Sequence, residues 1–367
     1  MDNQDQTKGQ EQNQEQGQEQ GQEKKHKRRV RYKGTHPKSY KEKYKEHQPD
    51  KYSDTVSRVI QKGSTPAGMH ISICVNEILD FLQIQPGQIG LDATLGYGGH
   101  SKEMLKCLES KGHLYSLDID PIELPRTRER LAKLGYGPEI LTIKQTNFAN
   151  IDQVAAESGP LNFVLADLGV SSMQIDNPDR GFSYKTEGPL DLRLNPKKGI
   201  SAAERLRKIS QDELEGMLIE NSDEPHAKEI ARAIIIEIRK GTNISTTTQL
   251  QEIIERALKF IPEKKRKDEV KKSCQRSFQA LRIDVNSEFE VLYEFLEKLP
   301  DTLAPGGRVA ILSFHSGEDR LVKKSFKRLL REGVYKEISP EIIRPSAEEC
   351  FNNSRAKSTK MRWAIKA

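Results

Sequence analysis

Two short stretches concentrate the residues able to do chemistry. In "GLDATLGYGGHS" (Gly90 to Ser101) a brief apolar run carries Asp92 and ends in a glycine-rich turn, Gly96-Tyr97-Gly98-Gly99-His100. In "LADLGVSSMQIDNPDRGFSY" (Leu165 to Tyr184) a second apolar run stops on Asp167. It then passes into a hydroxyl-rich turn at Ser171 and Ser172. Glycines between a strand and a helix let backbone N–H groups reach a ligand at the helix N-terminus. Asp118 follows Gly99 by 19 residues, at the end of the next apolar run. An acidic side chain there commonly receives ribose hydroxyls. Together these residues point to a cofactor that contains a nucleoside, against the alternative that the turn and the two aspartates are only structural.

The details separate one nucleoside from another. The full G-x-G-x-x-G is absent, because Ser101 stands where the third glycine would be, and there is no G-K-[ST] to grip a phosphate. Asp92 next to the glycine turn is a poor host for pyrophosphate and suits a cation. S-adenosylmethionine (SAM) carries a sulfonium, an ammonium and a ribose, and no phosphate, so SAM is favoured over NAD. In an open α/β sheet the ligand lies beyond the carboxyl ends of the strands. Asp167 and the Ser171/Ser172 turn would overhang that cleft, and a methyl acceptor would sit against this lip. Phe148, after the third apolar run, either packs on an adenine face or belongs to the core.

Elements that could hold these residues in place are legible around them. "IGLDATL", "GHLYSLDID", "EILTIKQTNF" and "LNFVLADLG" read as buried strands, separated by "GGHSKEMLKCLE" and "PIELPRTRERLAKL", which read as helices. That alternation predicts a parallel, doubly wound α/β sheet. From about 200 to 290 the period turns helical ("SAAERLRKISQDELEGMLI", "PHAKEIARAIIIEIRK", "TTTQLQEIIERALKFI", "FEVLYEFLEKL"), as in a helical insertion or lid. Strand character returns at "GRVAILSFHS". The expected organisation is an extension over 1–69, an α/β domain over 70–199 and 291–367, and a helical insertion over 200–290 on the substrate side.

The bulk composition of the 367 residues bounds the rest. A mean hydropathy of −0.73 is polar for a globular chain, and the ends account for much of it. Residues 1–23 are built from Gln, Glu and Gly and cannot form a core, which predicts disorder. The basic stretch "KKHKRRVRYK", interleaved further on with Tyr40 and Tyr44, is either a phosphate-tracking arm or a solubilising tail. The net charge of +6 hints at a polyanionic partner. Cys74, Cys107, Cys274 and Cys350 form no C-x-x-C pair and no Cys/His cluster with ligand spacing. Reduced structural thiols and no metal are expected. No run approaches the roughly 18 apolar residues of a membrane span, and the N-terminus lacks a secretory pattern. A soluble, cytoplasmic protein is the expectation.

Taken in order, "DATLGYGGHS", "LDIDP", "LADLGVSSMQID", "RGFSY", "GPLDLRLN", "SFQALRIDVNSE", "LAPGGRVAILSFHSGEDRLVK" and "NSRAKSTKMR" resemble the bacterial small-subunit rRNA (cytosine-N4)-methyltransferases, the RsmH (MraW) family. The resemblance runs from about residue 70 to the C-terminus. It implies a Rossmann-like SAM-dependent methyltransferase sheet with a helical insertion. It also implies SAM as cofactor and, as partner, 16S rRNA in the small ribosomal subunit, methylated at N4 of a decoding-centre cytidine. The implied SAM contacts fall on Gly98, Gly99, His100, Asp118, Phe148, Asp167 and Gln174. The chain departs from the family pattern at Ser72, Met173 and Ser354, each where proline or Asn-Pro is usual, and at Pro125, which is expected to interrupt the helix after the second strand.

The implied chemistry assigns further residues. The acceptor for an N4 hydrogen is Asp167 or a backbone carbonyl of the Leu168–Ser171 turn. His315 is either a strand-end histidine satisfied by neighbours or, with Arg320, part of an RNA entrance. Phe182 and Tyr184 either stack on a flipped base or pack internally. Lys357, Lys360 and Arg362 are expected phosphate contacts. The run Glu263 to Lys272 is either another or a solvated helix face. Three rivals are less consistent with the residues. An NAD oxidoreductase would need the complete glycine fingerprint. A non-catalytic RNA-binding protein would not need these pocket motifs. A DNA N4-methyltransferase would carry Pro-Pro-aromatic where this chain has Leu168-Gly169-Val170.

Overall fold

The computed structural model describes residues 72–367, so the extension expected over 1–69, with its basic arm, lies outside the described residues. The predicted strands form β1 (Ile89–Asp92), β2 (His113–Asp118), β3 (Leu141–Gln145), β4 (Leu161–Asp167) and β5 (Leu303–Ser313). They are joined by α1 (Val75–Leu82) before β1, then α2 (Gly99–Cys107), α3 (Glu123–Lys133) and α4 (Ile151–Ser158). The sheet has seven strands in the order β3-β2-β1-β4-β5-β7-β6, with the first five parallel.

The wholly parallel sheet expected from the alternation is corrected at one edge. After α12 (Ser316–Arg331) the chain makes β6 (Tyr335–Ile338), passes through the short α13 (Ala347–Asn352), and returns as β7 (Lys360–Lys366). β7 runs back through the slot between β5 and β6 and is antiparallel to both. Pro125 also behaves differently from the expectation. It lies in the first turn of α3, where its missing N–H would have had no partner within the helix, so the helix runs on uninterrupted.

Helices cover both faces of the sheet. On one face α1, α2 and α3 bury Ile78, Leu82, Met104, Leu105 and Leu131 against Leu114, Phe163 and Leu165. On the other, α4, α12 and α11 (Glu288–Thr302) bury Val154, Phe326, Phe295 and Leu299 against Leu91, Val164 and Val309. Between β4 and β5 the chain makes α5 (Ser172–Asp176), α6 (Ala202–Lys208), α7 (Gln211–Ser222), α8 (Ala227–Arg239), α9 (Thr247–Ala257) and α10 (Glu263–Asn286). The last five build their own apolar cluster, with Leu206, Leu218, Ile234, Ile254 and Phe278 among its members. Position 290 lies inside α11, whose apolar side belongs to the sheet cluster.

Close packing against the sheet fixes one residue type sharply. A Cβ on Gly90 would stand 2.1 Å from the ring of the fully buried Phe163. Gly90→Ala should therefore destabilise the protein by roughly 1–3 kcal/mol, as overpacked cores do. Urea denaturation reads this directly. An unchanged midpoint would mean that the Phe163 ring yields freely.

Candidate functional site

One cleft of about 550 Å³ opens at the carboxyl ends of the parallel strands. Its walls are the glycine turn, the ends of β2 and β4, the turn after β4, the start of α12, and the inner ends of α10 and α11. Of the seven residues implied by the resemblance, Gly99, His100, Asp118, Phe148, Asp167 and Gln174 line it. Gly98 stands behind the turn as the N-cap of α2 at φ 71°, and a Cβ there would press on Thr127 and Leu131 at 3.0 Å. Glycine is needed at that point both for the left-handed backbone and for the close approach of α3. A larger groove of about 940 Å³ between α11 and α12, lined by Tyr293, Lys324, Lys327 and Arg331 among others, holds none of these seven residues.

The glycine turn is pinned from outside. Thr127 Oγ1 donates to the Gly96 carbonyl at 2.7 Å, and Arg130 donates to the Tyr97 carbonyl at 3.1 Å. From inside, Asp118 accepts from Gly96 N–H and Asp120 N–H, both at 2.8 Å, one on each oxygen. Each oxygen keeps a second lone pair that a ligand hydroxyl could use. Burial raises the Asp118 carboxyl to about 6, against the pull of those two hydrogen bonds.

Asp92 does not play the part its position suggested. It is buried, and its carboxylate accepts from Ser101 Oγ at 2.6 Å and Thr94 N–H at 3.1 Å. Ser101, in the place of the third glycine, thus satisfies a buried carboxylate from the first turn of α2. Of the strand-end residues Asp92 and Asp167, Asp167 is the one that lines the cleft. Its backbone N–H donates to Thr94 Oγ1 at 2.7 Å, and its Oδ2 lies 3.6 Å from His100 Nδ1. Its Oδ1 has no partner among the described residues. Burial raises the Asp167 carboxyl to about 6, with His100 acting in the opposite sense. The His100 ring is held by a 2.9 Å contact between Nε2 and the Ile73 carbonyl, which requires the proton on Nε2.

Gln174 is engaged on both sides of its amide. Its Oε1 accepts from Ser171 N–H at 2.9 Å, Ser171 Oγ accepts from Gln174 N–H at 3.2 Å, and its Nε2 donates to Asp120 Oδ2 at 2.8 Å. The reciprocal Ser171–Gln174 pair is a capping box that starts α5 and shapes the turn after Asp167. Asp120 and Arg180 are both buried and meet at 2.7 Å. The other arm of Arg180 donates to the carbonyls of Arg193 and Leu194 at 3.1 and 2.8 Å.

Several expected substrate residues lie elsewhere or are already committed. Phe182 is buried in the helical cluster beneath Arg180, and Tyr184 packs edge-on against Phe278 at 6.0 Å, so neither faces the cleft. Arg362 is buried and paired with Asp319 at 2.6 Å, and Lys360 lies 3.8 Å from the same carboxylate. Alternation along β7 turns Arg362 inward toward α12 rather than toward a phosphate. Lys357 does line the cleft, together with Ser354 and Arg355. Phe148 lines it too and meets Phe295 edge-on at 5.2 Å.

Other cleft residues were not singled out in the sequence. Arg282 holds Glu288 through two contacts of 2.8 and 2.9 Å, and the buried Glu318 lies 3.1 Å from His315. The spacing of His315 and Glu318, three apart at the start of a helix, was the available signal. Among the described residues two groups lie close enough to share an ion: Cys74–Glu77–Glu349 and Glu288–His315–Glu318.

A parallel sheet with a glycine turn at a helix N-terminus, strand-end carboxylates and an antiparallel seventh strand defines a Rossmann-like methyltransferase. The chain belongs to the MraW methylase family, which matches residues 67–367. It is 78% identical to "Ribosomal RNA small subunit methyltransferase H 2" of Alkaliphilus metalliredigens, covering 87% of this chain and 91% of that one. It is 73% identical to "Ribosomal RNA small subunit methyltransferase H 1" of Lachnoclostridium phytofermentans, covering 87% of each. A third relative of the same type, from Agathobacter rectalis, is 65% identical over 87% of this chain and 91% of its own length.

The Asp120–Arg180 pair should carry much of the cleft's rigidity. Arg180→Ala leaves a buried carboxylate without its cation, which typically costs 3–5 kcal/mol. Thermal denaturation is expected to show a large fall in Tm. A fall of less than about 2 °C would mean that water replaces the guanidinium.

Proposed function

We propose that this protein transfers a methyl group from SAM to the exocyclic N4 of a cytidine in the decoding centre of 16S rRNA, in the small ribosomal subunit. Such a substrate places the reaction in the cytoplasm, and no helix among the described residues is long and apolar enough to cross a membrane. The observation that carries the reading is Asp167: a partly buried carboxylate in the cleft whose Oδ1 has no partner. The names of the relatives support the rRNA substrate.

The residues present fit SAM. The glycine turn offers backbone N–H groups and no lysine or arginine for a phosphate, while Asp118 and Asp167 suit a ligand with hydroxyls and positive charge. When bound, SAM supplies an activated methyl group. In this assignment Gly99 and His100 receive the ligand at the α2 terminus, Asp118 accepts ribose hydroxyls, and Phe148 covers the base. Gln174 can contribute only its remaining N–H, because the rest of its amide holds the turn.

The acceptor amine is the harder problem. The N4 lone pair of cytosine is delocalised into the ring and must be turned toward the methyl group. The Asp167 carboxylate can accept one N–H and fix that orientation, and alignment of reacting atoms contributes several kcal/mol, about 7 or more in the best cases. The helical segment 200–290 would act as the lid on the RNA side, with Lys357 at the cleft mouth available to a phosphate.

The first experiment is methyl transfer from labelled SAM to small subunits from cells lacking the enzyme, followed by digestion to nucleosides. Label in N4-methylcytidine is expected, and label in any other nucleoside would reject the assignment. Asp167→Ala, which removes the acceptor, should slow transfer roughly 100-fold or more, the scale seen when one preorganised hydrogen-bond partner is lost, and Asp167→Asn, which keeps an acceptor oxygen, is the milder change.

The same variant has a second signature. Asp167 is raised from 3.8 to about 6 in the fold. The stability it contributes is therefore complete below its unfolded value and lost as pH rises through about 6. The neutral Asn variant should be more stable than wild type at pH 8 by about 1–3 kcal/mol, with no difference near pH 3.5. Urea melts at the two pH values check the sign. A variant less stable than wild type at pH 8 would contradict it.

A further inference from the structure

A cytosine stacked among its neighbours cannot bring N4 into a cleft, so the target base has to be splayed out of the strand first. The bases beside it are then left with uncovered faces at the cleft mouth. A flat apolar side chain at that mouth would cover one of them, and the fold presents such a side chain on α13. This six-residue helix has two sides. Glu349 and Cys350 turn inward: Glu349 Oε1 accepts from Cys74 N–H at 2.9 Å, and Cys350 packs against the apolar cluster of α1 and α2. Ala347, Glu348, Phe351 and Asn352 share the opposite side, as the helical period requires, and are exposed. Phe351 is 89% exposed, the most of any large apolar side chain among the described residues, ahead of Phe260 at 61% and Tyr293 at 59%.

A single exposed apolar residue means little by itself. The weight comes from where this one is held, because the segment is fixed on both sides of it. Before it, Glu349 is tied to Cys74, which directly follows the cleft residues Ser72 and Ile73. After it, Asn353 Oδ1 accepts from Arg355 N–H at 3.1 Å, and the Arg355 guanidinium donates to Asp176 at 2.8 Å. Ser354, Arg355, Lys357 and Ser358 line the cleft. Three residues of chain separate Phe351 from Ser354, a reach of at most about 11 Å, which puts Phe351 at the cleft rim. Lys357 is exposed on the same stretch. A ring for a base face beside a cation for a phosphate is the composition of a surface that tracks an unstacked strand.

We propose that Phe351 stacks on the base next to the target cytidine, while Lys357 meets a phosphate of the same strand. The inference rests on the assignment of an rRNA substrate. Flipping the target costs its neighbour a stacking partner, and the Phe351 ring takes that place. Such stacking tolerates any neighbouring base, because every base has a π-face. A protein partner would call for further apolar side chains around the ring, whereas Glu348 and Asn352 flank it on the exposed side of α13. Phe351 is thus a positioning residue: it holds the strand and takes no part in the transfer.

The test uses the full chain, SAM and small subunits from cells lacking the enzyme. Phe351→Ala should raise the KM for subunits about 10-fold or more, the scale of one lost base–aromatic stack, with kcat and SAM affinity within about 2-fold. Phe351→Leu keeps apolar area without a flat π-face and should behave like Phe351→Ala, while Phe351→Trp should match or improve on the wild type. A rise of less than about 3-fold in Phe351→Ala would overturn the proposal, since a lost stack costs more than that. So would full rescue by Phe351→Leu. Position is read separately by placing the photoreactive p-benzoylphenylalanine at 351 and mapping its crosslink. It should fall on a nucleotide adjoining the methylated cytidine. A crosslink to a distant RNA segment, to a ribosomal protein or to a second copy of this chain would overturn the proposal. Should Phe351→Ala lower the Tm, this mapping decides alone. If the wild type makes no N4-methylcytidine, the rRNA assignment falls and this inference with it. If it does and Phe351→Ala matches it, only the inference falls.

Discussion

The cleft depends on one buried ion pair. Asp120 and Arg180 meet with almost no solvent, where either charge alone would be costly. Asp120 follows the end of β2, two residues past Asp118, and its backbone N–H helps to fix Asp118. Its carboxylate also receives the Gln174 amide, which shapes the turn after Asp167. Arg180 in turn reaches the carbonyls of Arg193 and Leu194, on the way into the helical segment. One charge pair thereby ties together the cofactor side of the cleft, the methyl-acceptor lip and the root of the helices over the substrate side. Its hydrogen bonds are nearly saturated, which is the condition under which a buried pair gives a unique geometry instead of a strained one.

Much of this was legible because it rests on local pattern. Four short apolar runs alternating with helical periods specify the parallel strands, and the glycine turn marks where the first of them meets a helix. What could not be read depends on which side chains meet across the fold. Asp92 and Asp167 both sit at strand ends in similar sequence, yet one is consumed by Ser101 and Thr94 while the other keeps an oxygen free. Nothing in the local sequence states that Ser101 reaches back to Asp92. Arg362 looked like a surface cation in a basic tail. Its place on an inner antiparallel strand, paired with Asp319, follows only from β7 entering between β5 and β6. β6 itself, four residues with two exposed charges, carries too little apolar pattern to be seen as a strand.

The aromatics show the same limit. "RGFSY" reads equally well as a stacking surface or as a hydrophobic anchor, and the fold uses it as an anchor. Phe182 and Tyr184 join the cluster of the helical segment and fasten its root, while Arg180 between the two regions supplies the polar contact. Motif residues in this stretch therefore support the site from behind. The distinction between touching a ligand and holding what touches it is set by packing, which no spacing rule encodes.

The polar atoms left without partners then carry functional weight. Buried polar groups in a folded core are almost always hydrogen-bonded, because an unpaired one costs about 1–3 kcal/mol. Around this cleft Asp92, Asp118, Asp120 and Gln174 obey that rule with short, well-placed partners. Asp167 Oδ1, Glu123 Oε2 and both ring nitrogens of His315 do not. Asp167 and His315 follow adjacent strands at the same end of the sheet, and burial raises the Asp167 carboxyl. A fold that leaves these buried atoms unpaired retains a stability cost around the cleft.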